Sequence, residues 1–269
     1  MKMGLRRGRR TVIETIILES KALSTDAVIN VIKPDNGEIR NFMILLHGNM
    51  NPEMSEELFH NLPKELELQK LCDRYHMMVA APFMKNRYYI STEDYDCGKF
   101  VSSELPDYMK HRYHLPDSVE MVLAGISMGG YGAALIAAQT GKFSTIISIA
   151  GAYIAKDVEI GNTEVWGSLT PYSVDLKKTF LYYFLPLSDL EESVDRNASA
   201  AIRLFKERNE NPQFVLACGT EDWFYERNLS FLKVLDRFGI DYRFERIDGG
   251  GHDPECFRSG LWKAVEYLA

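Results

Sequence analysis

Glu120-Met121-Val122-Leu123-Ala124 is followed without a break by Gly125-Ile126-Ser127-Met128-Gly129, and then by Gly130-Tyr131-Gly132-Ala133-Ala134-Leu135-Ile136-Ala137-Ala138. The first five residues read as a short buried strand, and the last nine as a helix of small residues and good helix formers. A strand, a sharp turn carrying a serine, and a helix together form a nucleophile elbow. Glycines two residues either side of Ser127 leave room for a tight turn, and the following helix aims its positive end at the hydroxyl. A glycine-rich connection with no chemistry is the plainer alternative. The strand before and the helix after favour Ser127 as a nucleophile.

A serine hydroxyl attacks poorly at neutral pH unless a base lies within hydrogen-bond reach and a carboxylate orients that base. The elbow is the signature of an α/β-hydrolase, in which the partners follow in the order serine, acid, histidine. Of six histidines only His252 lies downstream of Ser127. It sits in Gly249-Gly250-Gly251-His252-Asp253, directly after a strand expected over Ile240 to Ile247. The acid belongs at the carboxyl end of the preceding strand. There Phe214 to Cys218 runs into Gly219-Thr220-Glu221-Asp222, and Asp222 is the candidate, with Glu221 as the alternative. Asp248 and Asp253 are too close to His252 in sequence to reach its far nitrogen and read as loop residues.

A tetrahedral intermediate needs two donors aimed at its oxyanion. The backbone N–H of Met128 is one candidate. The other is the N–H of Asn49, at the end of Met43-Ile44-Leu45-Leu46-His47-Gly48-Asn49, an apolar strand running into a tight loop. His47, just before the glycine, reads as a residue that shapes this loop and not as a base.

Around these motifs the chain alternates strands and helices, which argues for an α/β fold with a mostly parallel sheet covered on both faces. Strands are expected over Val12 to Leu18, Ala27 to Ile32, Asn41 to Leu46, Met77 to Ala80 and Thr145 to Ala150. Helices are expected over Leu66 to Tyr75 and over Phe100 to Tyr113, where Pro106 must kink the helix or occupy its first turn. A further helix carries Leu229, Leu232, Leu235 and Phe238 on one face and ends at Gly239. Leu261, Val265 and Leu268 mark the closing helix. Residues 1–269 are expected to form one domain. The irregular, aromatic-rich stretch at about 151–196, with Trp166, Tyr172, Phe180, Tyr182, Tyr183 and Phe184, reads as a cap over Ser127.

Composition bounds the function. With 46% hydrophobic residues the chain can bury a large core, and a net charge of −7 leaves no broad basic surface for nucleic acid. Arg6, Arg7, Arg9 and Arg10 read as a solvated terminus, and no apolar run after them completes a signal peptide or spans a membrane. The four cysteines, Cys72, Cys97, Cys218 and Cys256, are scattered without metal-ligand spacing, as expected of buried thiols in a cytoplasmic protein. No metal site and no cofactor are expected.

Leu45-Leu46-His47-Gly48, Gly125-Ile126-Ser127-Met128-Gly129-Gly130-Tyr131-Gly132-Ala133, Cys218-Gly219-Thr220-Glu221-Asp222 and Gly250-Gly251-His252-Asp253 together resemble one esterase family of α/β-hydrolases. That family holds esterase D (S-formylglutathione hydrolase), tributyrin esterases, feruloyl and acetyl-xylan esterases and the mycolyltransferases; the tributyrin-esterase branch looks nearest. The resemblance implies cofactor-free hydrolysis of a small carboxylic ester through a serine acyl-enzyme, with short acyl groups and acetylated or feruloylated sugars as candidate substrates. Thioester hydrolysis of the S-formylglutathione type and acyl transfer share that intermediate. A catalytically silent binding scaffold would lack a triad or oxyanion element, and none is missing here. The chain departs from many relatives in following the His-Asp pair with Pro254-Glu255-Cys256 instead of an aromatic residue, which leaves the pocket rim and the substrate open. Oligomeric state is left open too.

Overall fold

Alternation of side chains along the central strands divides the apolar residues between two cores. In β3 (Asn41–Leu46), Phe42, Ile44 and Leu46 face one side of the sheet, while Met43 and Leu45 face the other. Strands buried on both faces must be apolar throughout, and β3, β5 (Glu120–Ile126), β6 (Thr145–Ile149) and β7 (Gln213–Gly219) are nearly so. The computed structural model describes residues 13–50, 55–153, 184 and 189–268.

Eight strands form one sheet in the order β1-β2-β4-β3-β5-β6-β7-β8, completed by β1 (Glu14–Ser20), β2 (Thr25–Ile32), β4 (Met77–Pro82) and β8 (Tyr242–Ile247). β1 pairs antiparallel with β2, and β2 antiparallel with β4; every pair from β4 to β8 is parallel. The parallel register aligns Leu46 with Gly125, Ile126 with Ile149, Ile149 with Ala217 and Gly219 with Ile247. The loops that leave β3, β5, β7 and β8 therefore emerge on one rim, where open α/β sheets place their ligands.

The helix Met128–Thr140 is buried from Met128 through Ala138. A helix apolar on every side belongs inside the molecule, and this one packs under β3, β5 and β6. The helices Leu68–Tyr75 and Pro254–Glu266 cover the opposite face through Leu68, Leu71, Leu261 and Val265. The helix Tyr225–Phe238 ends at Gly239, which takes φ 68°, the left-handed turn expected of a terminal glycine. No described helix is long and apolar enough to cross a membrane.

Besides short helices that were not anticipated, such as Ala198–Ala201 and Arg203–Glu207, the structure differs from expectation in two places. The helix expected over Phe100 to Tyr113 is a π-helical turn, Phe100–Glu104, running into an α-helix, Leu105–Tyr113. Pro106 has no N–H to give to the carbonyl four residues back, and Leu105 N–H reaches five residues back to Phe100. The helix Ser55–Glu65 was not anticipated, because it carries Pro63 and buries only Phe59 and Pro63. The arginine cluster at residues 6–10 and most of the 151–196 stretch, Trp166, Tyr172, Phe180, Tyr182 and Tyr183 included, lie outside the described residues.

His47 ends β3 inside the protein, fully buried. Its Nδ1 bonds the Gly48 carbonyl at 2.6 Å and its Nε2 accepts the Met84 N–H at 3.0 Å, which fixes one neutral tautomer. The ring stacks on Phe83, and the Tyr89 hydroxyl donates to the His47 carbonyl at 2.9 Å. Burial pushes the imidazole pKa down to about 4. One nitrogen serves the backbone of the loop after β3 and the other that of the loop after β4, so the ring ties the two loops together.

Two outcomes are expected. A Cβ at Gly129 would stand 2.1 Å from the Leu46 carbonyl oxygen, a backbone atom that cannot swing aside. Alanine would gain about 1 kcal/mol of helix propensity, but overpacking of this severity costs about 3 kcal/mol. Gly129→Ala should therefore lose about 2 kcal/mol in urea denaturation; a neutral effect would mean that the first helical turn is free to move. For His47 the unfolded chain binds a proton below pH 6.5 while the folded chain resists it down to about 4. Stability present above pH 6.5 should thus fall by about 3 kcal/mol on acidification to pH 4. Equilibrium unfolding of His47→Gln should lack that part of the slope, and an unchanged slope would exclude His47 as its source.

Candidate active site

Ser127 stands at the carboxyl end of β5 with φ 55° and ψ −115°, a conformation that costs a non-glycine residue about 1 to 3 kcal/mol. Three backbone bonds hold it there. Its N–H donates to Ile149 at 2.8 Å, and its carbonyl accepts the N–H groups of Tyr131 at 3.1 Å and Ala152 at 3.0 Å. The strained turn thrusts the side chain out over the rim, away from the helix it begins.

His252 Nε2 lies 3.0 Å from Ser127 Oγ, and His252 Nδ1 lies 2.7 Å from Asp222 Oδ2. The second oxygen of Asp222 accepts the Phe224 N–H at 2.7 Å. A carboxylate only accepts, so Nδ1 carries the proton and Nε2 is left to accept from the serine hydroxyl. The Asp222 side chain is fully buried, and that of His252 is 13% exposed. The loops bearing them are tied together: Glu221 N–H donates to Gly250, Thr220 N–H to Ile247, and Gly249 N–H to the Thr220 hydroxyl. Such a relay can take a proton from Ser127 and return it to a leaving atom.

The other carboxylates are engaged elsewhere. Glu221 is exposed and does not reach His252. Asp248 pairs with Arg246 at 2.8 Å, and Asp253 caps the closing helix by accepting the N–H groups of Glu255 and Cys256 at 3.0 Å. All four cysteines are buried free thiols, and burial pushes Cys72 and Cys97 up to about 12. Among the described residues no group of three or more potential ligands could hold a metal ion.

The β3 loop lies beside the serine: a Cβ on Gly48 would be 3.2 Å from Ser127 Cβ and 3.8 Å from its Oγ. Asn49 follows, with its Oδ1 buried and without a hydrogen-bond partner. Met128 is the first residue of the elbow helix, so its N–H has no acceptor within the helix.

Several supports escaped sequence reasoning. Asn86 clamps the β3 loop, with Oδ1 on Met50 N–H at 3.0 Å and Nδ2 on the Met50 carbonyl at 2.6 Å. Tyr88 donates its N–H to the Met128 sulfur at 3.4 Å. Around His252 stand Trp223 at 4.8 Å, Phe224 at 5.2 Å and Phe257 at 4.8 Å between ring centroids. Phe257, directly after Pro254-Glu255-Cys256, brings an aromatic ring back to His252. Trp223 and Phe224 adjoin Asp222 in sequence, and that adjacency was the available signal. Phe184, at the end of the expected cap, is fully buried against Tyr88 and Tyr131.

Known proteins resemble this chain along nearly all of its length. The model of the family described as "Putative esterase" matches residues 20–267. An acetyl esterase of Caldicellulosiruptor saccharolyticus is 26% identical over 257 residues, which span 90% of this chain and 91% of that protein. Among solved structures, the fluorophosphonate-binding serine hydrolase F of Staphylococcus aureus superposes with a TM-score of 0.77 at 18% identity, covering 96% of this chain and 98% of the other. An S-formylglutathione hydrolase of the same organism gives 0.75 at 18% identity, covering 97% and 99%. These two likenesses establish the α/β-hydrolase fold. With the family model running along nearly the whole described sheet, the chain belongs to this esterase family and is a carboxylic ester hydrolase.

Proposed function

We propose that the protein hydrolyses short-chain acyl esters, acetyl esters foremost, through an acyl-enzyme on Ser127. The observation that carries this reading is the unbroken relay from Ser127 Oγ through His252 to Asp222, at 3.0 and 2.7 Å. The preference for acetyl groups draws on the 26% identity to an acetyl esterase, and acetylated sugars are the substrates we consider first.

In this mechanism Ser127 Oγ attacks the ester carbonyl while His252 Nε2 takes its proton. Asp222 holds the imidazole in the required tautomer and stabilises the imidazolium. The N–H groups of Met128 and Asn49 receive the oxyanion, where prearranged donors are worth the most. Collapse of the intermediate expels the alcohol, protonated by His252. Water then enters, gives its proton to the same nitrogen, and releases the acid.

Ser127→Ala should lower kcat for p-nitrophenyl acetate by about a million-fold while leaving the circular dichroism spectrum unchanged. Asp222→Asn keeps the shape but loses the charge and the tautomer, and should cost about ten-thousand-fold. Turnover across the series from acetate to octanoate should peak at the short end. A Ser127→Ala protein that still hydrolyses acetate at a tenth of the wild-type rate would overturn the assignment.

A further inference from the structure

Trp223 is one of three large hydrophobic side chains exposed among the described residues, with 36% of its surface open. The other two have plain settings: Ile17 lies on the edge strand β1, and Tyr267 follows the closing helix. Trp223 instead stands against His252, ring centroids 4.8 Å apart and planes inclined by 32°. Phe224 and Phe257 meet the same imidazole nearly edge-on, at 75° and 83°. Phe224 is buried and Phe257 partly so. Two rings thus meet the imidazole edge-on, and Trp223 alone lies at a low tilt to it. An indole with 36% of its surface open against that imidazole is apolar area with a further use.

The chemistry says what that use is. In acylation the bond between Ser127 Oγ and the acyl carbon forms, and the bond from that carbon to the alcohol oxygen breaks. The proton that left Ser127 passes from His252 Nε2 to the departing oxygen. That oxygen must come within hydrogen-bond reach of Nε2, so the alcohol half of the ester sits against the surroundings of His252. The acyl half stays on Ser127. An indole face takes a flat, weakly polar partner best: the CH face of a pyranose, or an aryl ring.

We propose that Trp223 is the platform for the alcohol half of the substrate, and that this half carries a ring with a flat apolar face. The proposal rests on the acyl-enzyme reading above. Because the alcohol has gone before water enters, Trp223 acts on acylation and drops out of deacylation. A residue that only held His252 in place would affect both, since His252 serves in both.

The test compares wild type with Trp223→Ala, Trp223→Leu and Trp223→Phe on three acetates: p-nitrophenyl acetate, a monoacetate of methyl β-D-xylopyranoside, and ethyl acetate. Leucine keeps apolar bulk against His252 but has no flat face, which guards against an alanine variant that fails to fold. For Ala and Leu, kcat/KM should fall roughly five- to tenfold further on a ring ester than on ethyl acetate, the scale of one aromatic contact, and Phe should restore most of it. In stopped-flow bursts with p-nitrophenyl acetate, the acylation rate should fall by more than the deacylation rate. A loss confined to the sugar or to the aryl ester identifies the ring and upholds the proposal. Equal losses on all three esters, with both rates slowed together, would make Trp223 a positioning residue for His252 and overturn it; so would no loss on any. A wild type inactive on all three would instead overturn the acyl-enzyme reading beneath it.

Discussion

The site depends on how closely the first turn of the elbow helix approaches the end of β3. No Cβ fits at Gly125, where it would lie 2.0 Å from the Gly129 carbonyl oxygen, or at Gly129, where it would lie 2.1 Å from that of Leu46. With glycine at both positions the helix start, the β5 turn and the β3 loop touch backbone to backbone. This contact brings Gly48 beside Ser127, and it lets two loops far apart in sequence face one hydroxyl. It also allows Ser127 to hold a positive φ, since the strain of about 1 to 3 kcal/mol is borne by a turn bonded to β6 and to its own helix. A longer side chain at either glycine would force the start of the helix, the β5 turn and the end of β3 apart.

The electrostatics follow from depth. Asp222 is a fully buried carboxylate, and such a group is tolerated only when hydrogen bonds and a partner offset its lost hydration. Phe224 N–H and His252 Nδ1 take one oxygen each. The aspartate is therefore committed in direction, and the imidazole with it. Backbone bonds between the Thr220–Glu221 and Gly249–Gly250 segments make the acid and base loops one unit. The distance that matters, 3.0 Å to Ser127, is then fixed by sheet register and not by the two side chains alone.

Much of this was legible in the chain because the constraints are local. The elbow glycines, the single downstream histidine and the acidic pair after β7 are short-range signals, and the parallel sheet follows from alternating elements. The chain put Asp222 ahead of Glu221, and burial separates them: one residue's difference turns a side chain from His252 to solvent. What stayed hidden was set by tertiary contact. The helix Ser55–Glu65 carries a proline and buries only Phe59 and Pro63, so few apolar residues mark it in the chain. Asn86 clamps Met50 across 36 residues, a pairing with no local mark. The π-turn before Pro106 was half legible: proline announces a missing donor, but only the structure tells how the backbone absorbs it.

Two histidines flank Ser127, and their contrast shows that environment sets the role of the residue type. His47 has both nitrogens occupied by backbone groups and sits out of water, where the charged form is disfavoured, so it stays neutral and works as a strut. His252 gives one nitrogen to a carboxylate and turns the other to the serine, with part of its ring still open. A proton can reach and leave His252 because Asp222 offsets the charge that forms. No carboxylate bonds His47, so a proton there would break the bond from Met84 N–H and unseat the β3 loop. The same loop carries Asn49, and a strut held neutral by burial keeps that loop in register beside Ser127.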